Sequence, residues 1–145
     1  MRVNEDKLFK RYHTIRQTDH KTFQQFIDEN DLEISVPNFS KKYRNWLLMN
    51  NLEYPYWDSR KYLDWFGKYY KVNEQTMEEA RKELEMIEDL KILNGSPLVR
   101  AIVIFKRHNL EITEKDISRV AGVSTQSIYS ANVKFNKIRG NPWES

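Results

Sequence analysis

Two stretches of this chain group side chains in a way that suits contact with a polyanion, and neither suits bond-breaking chemistry. The run 113–138, TEKDISRVAGVSTQSIYSANVKFNKI, reads as two short helices joined by a glycine turn, the geometry of a helix-turn-helix. Ile117, Ala121, Val123, Ile128 and Ala131 take its inward positions, Ser118 is small enough for close helix approach, and Gly122 accepts the positive φ of a tight turn. Upstream, Lys41, Lys42 and Arg44 share one side of a helix with Asn38 and Asn45, opposite an apolar side. Clustered cations hold phosphates, and a helix carried by a tight turn can enter the major groove. Double-stranded DNA is therefore the first partner to expect.

Catalytic patterns are missing from the sequence. Asp and Glu are scattered over helix surfaces beside Lys and Arg, in no metal-ligand spacing, and no H-E-x-x-H, phosphate-loop or nucleophile-elbow run occurs. With no cysteine there is no disulfide, zinc ribbon, thiolate cluster or cysteine nucleophile. His13, His20 and His108 are expected as surface or capping residues. The expectation is a protein that is not an enzyme, needs no metal or cofactor and takes no small-molecule substrate.

At 145 residues the chain can hold one ordinary domain or two small ones. The net charge of +3 is modest, so its distribution matters more. Residues 1–52 carry nine Lys/Arg against seven Asp/Glu, residues 53–94 seven against ten, and residues 95–145 eight against four. Basic ends thus flank an acidic middle. The first residues lack an apolar signal core, and no stretch approaches the roughly 18 apolar residues of a membrane span. No membrane partner is expected, and the place for such a protein is the cytoplasm, in association with the nucleoid.

The elements that must position these groups are helices throughout. Four glycines, four prolines and no sustained apolar-polar alternation argue for an all-α fold. A first helix is expected from Asn4 to Gln17, with Leu8, Tyr12 and Ile15 on one stripe and Asn4 as N-cap. A second runs from Lys21 to Glu29 on Phe23, Phe26 and Ile27, and Pro37 opens a third with Phe39, Tyr43, Trp46 and Leu47 inward. These form an N-terminal three-helix unit, 1–52, itself resembling a helix-turn-helix with a longer turn that has no glycine. Pro55 marks the boundary.

Five more helices follow in 56–139, before a short tail, 140–145. Tyr62, Trp65, Phe66 and Tyr69 stripe the first, about 60–71. Met77, Ala80, Leu84, Ile87 and Leu90 line the second, about 74–93, which Asn94 and Gly95 end. Ser96 as N-cap and Pro97 launch the most apolar helix, LVRAIVIFKR, which must be central and buried. Thr113 and Asp116 make a T-x-x-D capping pair for the next.

The run SPLVRAIVIFKR followed by ITEKDISRVAGVSTQSI resembles the end of a cyclin-fold repeat of archaeal and eukaryotic transcription factor IIB. The likeness covers about residues 56–139, and its specific part is 95–128. It implies a five-helix cyclin-like repeat ending in a helix-turn-helix, in a DNA-binding transcription regulator. The zinc ribbon and second repeat of that family have no counterpart here. The base-reading positions of the family's final helix fall on Ser124, Thr125, Gln126, Ser127, Tyr129 and Ser130, with Lys134, Lys137 and Arg139 extending the grip. The family carries valine and arginine where this chain has Gln126 and Tyr129, so the target need not be shared. Gln can bond adenine N6 and N7, and Tyr can donate a hydrogen bond or lie against a thymine methyl. Lys41, Lys42 and Arg44 would hold phosphates at a second point.

The alternative is a protein-interaction module, a cyclin-like platform for a polymerase subunit, a transcription factor or a second copy of the chain. Tyr54, Tyr56, Trp57, Tyr62 and Trp65 are its expected contact residues. A chain that lacks the zinc ribbon would also suit a competitor of transcription factor IIB.

Overall fold

The computed structural model describes residues 4–90 and 96–139. The expected helix stop at Asn94 and Gly95 and the tail 140–145 lie outside the described residues, as do the side chains of Leu90, Ile138 and Arg139. Every regular element among the described residues is helical: α1 (Glu5–Arg16), α2 (Phe23–Glu29), α3 (Val36–Met49), α4 (Ser59–Tyr69), α5 (Glu74–Leu90), α6 (Pro97–His108), α7 (Glu114–Ala121) and α8 (Thr125–Arg139). No helix among them is long and apolar enough to cross a membrane. The chain divides into two compact units, Met1–Tyr56 and Trp57–Ser145.

The first unit is α1, α2 and α3 around an aromatic centre. Asn4 caps α1 by accepting from the Lys7 N–H at 3.2 Å. Thr22 starts α2 through a full capping box with Gln25, which shortens the expected helix by two residues at Lys21. Ser35 caps α3, and Pro37 sits in the first turn, where its missing N–H costs nothing. Phe9, Tyr12, Phe26, Phe39 and Tyr43 are buried together with Ile27 and Leu47, while Leu8 and Ile15 pack only at the edge. The α1 stripe is thus centred one position from where spacing alone put it. Tyr12 meets Tyr43 edge-on at 5.1 Å and Phe26 at 5.0 Å, each such pair contributing about 0.5–1.5 kcal/mol beyond area burial. Both phenols are satisfied: Tyr12 donates to the Lys21 carbonyl at 2.8 Å, and Tyr43 Oη lies 2.7 Å from His13 Nδ1.

In the second unit α6 is the axle. Ala101, Ile102, Val103, Ile104 and Phe105 are all buried, five in succession, so α6 has core on every side and packs against α4, α5, α7 and α8. Leu63, Phe66, Met77, Ala80, Leu84, Ile87, Ile117, Val120, Ala121, Ile128 and Phe135 complete this core. Trp57 and Tyr62 belong to it too, at 4% and 9% exposure, so the expected aromatic contact surface loses two of its members to structure. Polar ties fasten the perimeter. Tyr70 donates to Asp116 at 2.6 Å, and Glu88 accepts from Ser59 at 2.6 Å and from Arg100 at 2.8 Å.

The histidine expectation needs correcting at one place. His20 is only 7% exposed and belongs to the interior of the first unit. His13 and His108 are half-buried, His108 standing 3.3 Å from Glu83.

Candidate nucleic-acid interface

Helix α7, a short turn and α8 build the face of interest. Thr113 caps α7 by accepting from the Asp116 N–H at 3.1 Å. The expected reciprocal bond gives way: the Asp116 carboxylate takes the Tyr70 hydroxyl and the Arg119 guanidinium instead, and those two partners hold its pKa below the ordinary value. Gly122 ends the helix in the left-handed region, φ 74°, where a Cβ would be strained. The Val123 N–H reaches back to the Ser118 carbonyl at 3.3 Å, and the Ser118 hydroxyl donates to the Val123 carbonyl. Ser118 therefore locks the turn as well as giving room for it.

Helix α8 is seated by Ile128 and Phe135, at 0% and 1% exposure, with Ala131 packed beside them. The Arg107 guanidinium lies 4.9 Å above the Phe135 ring and bonds Glu83 at 2.9 Å. Burial alone would raise the Glu83 carboxyl; the His108 hydrogen bond and the Arg107 charge outweigh it and hold the group below its ordinary value. One ion-paired cluster thereby supports the inner face of α8 from α5 and α6.

With about 3.6 residues per turn, Gln126, Ser130, Val133 and Lys137 line the side of α8 opposite that core. All four are exposed, as are Ser124, Thr125, Ser127, Tyr129 and Lys134. Of the residues expected at the interface from this helix and its cap, all but Arg139, whose side chain lies outside the described residues, are therefore accessible. They are not all uncommitted, because Ser124 accepts from the Ser127 N–H at 3.1 Å and donates to its hydroxyl at 2.9 Å. That makes Ser124 first a helix cap and only then a position expected to read bases. Gln126 makes only a long contact, 3.4 Å, to Ser130. No Asp or Glu occurs anywhere in α8.

In the first unit Lys41, Lys42, Arg44 and Asn45 are all exposed on α3. Lys42 is held by Glu5 at 2.9 Å, and the Arg44 guanidinium lies 4.6 Å over the Tyr54 ring. The three cations are thus not a free cluster, since two already have partners inside the unit. Leu48 and Met49 at the end of the same helix are 79% and 87% exposed, a pair the helical spacing did not single out.

Comparison with family models, with curated proteins and with solved structures finds no match to this chain. Its chemistry must be read from the side chains themselves. Among the described residues no three His, Asp or Glu side chains gather into a set that could hold a metal ion. Beside α8 lies an open groove of about 250 Å³, floored by Val103 and Phe135 and edged by Leu110, Tyr129 and Val133.

Proposed function

We propose that this chain is a DNA-binding transcription regulator, related to transcription factor IIB through its second unit, that lays α8 in the major groove. The observation that carries the reading is the composition of the exposed face of α8. Five polar or hydroxyl side chains, one valine and two lysines are exposed on a helix fixed from behind, with no carboxylate in its 15 residues. On a protein-facing or merely solvated helix, mixed charge is the ordinary pattern. A face of amide, hydroxyl and ammonium groups with no acidic side chain among them matches base edges bordered by phosphates.

In this arrangement Gln126 and Tyr129 meet base edges in the first turns, where recognition helices read. Thr125, Ser127 and Ser130 supply hydroxyl contacts, and Lys134 and Lys137 hold phosphates further along. Two such contacts change affinity by roughly tenfold between 50 and 200 mM salt. Lys41, with Lys42 and Arg44 once their present partners release them, adds a secondary basic patch. Exchanging an exposed pair such as Lys42–Glu5 costs under about 1 kcal/mol.

The test is direct binding of the full chain to random-sequence duplex at low and moderate salt, followed by selection from a duplex library. Replacing Gln126 by alanine should cost roughly 1–3 kcal/mol at one base position and leave the others as they were. An unchanged selected sequence would remove Gln126 from base reading. Failure to bind any duplex at low salt would overturn the DNA reading and leave the protein-interaction module in its place. Leu48 and Met49, two large apolar side chains with little burial, are the specific observation that favours that second reading.

A further inference from the structure

The Tyr129 ring and the Val133 side chain are the apolar part of this face, which hydrogen bonding to base edges does not use. They are 58% and 40% exposed, sit one turn apart on the outer flank of α8 and edge the same shallow groove as Leu110, itself 55% exposed. The core does not need them, because Ile128, Ala131 and Phe135 already seat the helix. Helix propensity does not ask for them either, since valine is poorer there than alanine or lysine by a few tenths of a kcal/mol. An exposed apolar step beside Gln126 therefore calls for an apolar partner at the same depth as the base edges.

The major groove offers one such group, the C5 methyl of thymine. One helical turn advances about 5–6 Å along α8, and base pairs repeat every 3.4 Å or so, so Tyr129 and Val133 reach bases about two steps apart. Resting on the DNA reading above, we propose that Tyr129 and Val133 select thymine methyls. The preferred site then holds A·T pairs in which Gln126 takes an adenine edge and the Tyr129–Val133 step takes methyls. Lys134 and Lys137 lie on the far side of that step from the groove and grip the backbone without contributing to the choice.

The experiment uses the full chain and duplexes enriched from a random library made with thymidine. The enriched duplexes are remade with deoxyuridine in place of single thymidines, which removes only the methyl, and affinity is read by fluorescence anisotropy at fixed salt. Two positions about two steps apart should each lose about threefold to fourfold, the worth of burying one methyl-sized group. Val133→Ala should abolish the loss at one of them while Gln126→Ala leaves both intact. Val133 is exposed, so its truncation leaves the folded unit in place, which a melting curve checks. Enriched duplexes that bind equally well with uracil, or an enriched site without A·T pairs, would overturn methyl selection while DNA binding stands. Absence of binding to any duplex would overturn the DNA reading beneath it.

Discussion

Helices α3 and α8 look interchangeable in sequence and are not in structure. Each is about four turns long, has no carboxylate, carries three cations and turns aromatic or aliphatic side chains toward a core. On α3 the unit's own residues consume much of that character. Glu5 takes Lys42, Tyr54 takes Arg44, and the Trp46 indole N–H goes to Asp6 at 2.9 Å. On α8 the support comes from behind, through Phe135, Arg107 and Glu83, and on the front Ser124 bonds Ser127 and Gln126 bonds Ser130. A basic helix becomes an interface only where its neighbours do not supply the counter-charge, and that depends on which helices pack beside it.

The sharpest way to break the contrast is to unseat α8. Phe135→Ala removes a ring that is 1% exposed, together with the surface under Arg107, and should cost about 3–5 kcal/mol in denaturant unfolding. A loss under about 1 kcal/mol would mean that α8 is not held from behind. Next in size is Glu83→Gln, which leaves Arg107 without its carboxylate. The two side chains keep 17% and 16% exposure, so a loss of roughly 2–3 kcal/mol at neutral pH is expected, below that of a fully buried pair.

This second prediction has a sign in pH. Glu83 titrates lower in the folded chain than its ordinary 4.5, so the unfolded chain binds the proton more readily. Its contribution is whole above that ordinary value and is lost as pH falls through the lower, folded one. The difference between native and Glu83→Gln melting temperatures should therefore be constant near neutrality and close on acidification below about 4.5. A difference that persists at low pH would show that shape, not charge, is what the carboxyl provides. His13 works in the same direction in the first unit, because burial lowers its pKa and protonation then favours the unfolded chain.

Much of the fold was legible because capping chemistry is local. Asn4, Ser96 and Thr113 each stand where a helix begins, and each accepts the N–H three residues on. Helix ends were harder. Gly122 announced itself, but Asp31, Asn51 and Lys71 also adopt positive φ, at 49°, 54° and 54°, with no glycine to mark them. There the N–H of the next residue bonds back across the turn, as from Leu32 to Ile27 and from Val72 to Gly67, so a Schellman-type closure ends the helix without a glycine. The six-residue connection before α3 works as a turn for that reason, through Asp31.

The candidate face was legible in its exposure more than in the bonds its side chains make. Spacing placed Gln126, Tyr129, Ser130, Lys134 and Lys137 on an accessible face, since a 3.6-residue period fixes which side faces away from Ile128. It could not show that Ser124 is occupied as a cap, that Asp116 turns to Tyr70, or that Glu5 reaches Lys42 across 37 positions. The Tyr70 and Glu5 partners come from distant parts of the chain. Val133 was passed over because valine at one helix position reads as core until Phe135 and Ala131 are seen to fill it.

The difference between the two helices is tested most directly by two double variants in one binding experiment, Lys134→Gln with Lys137→Gln and Lys41→Gln with Lys42→Gln. For each, affinity for a random-sequence duplex is followed against salt concentration. The α8 pair should flatten the slope of log affinity against log salt by about 1.8, at about 0.9 for each phosphate no longer neutralised. The α3 pair should flatten it by no more than about half as much, because Lys42 must first leave Glu5. Equal effects, or a larger one from α3, would contradict α8 as the DNA-facing helix.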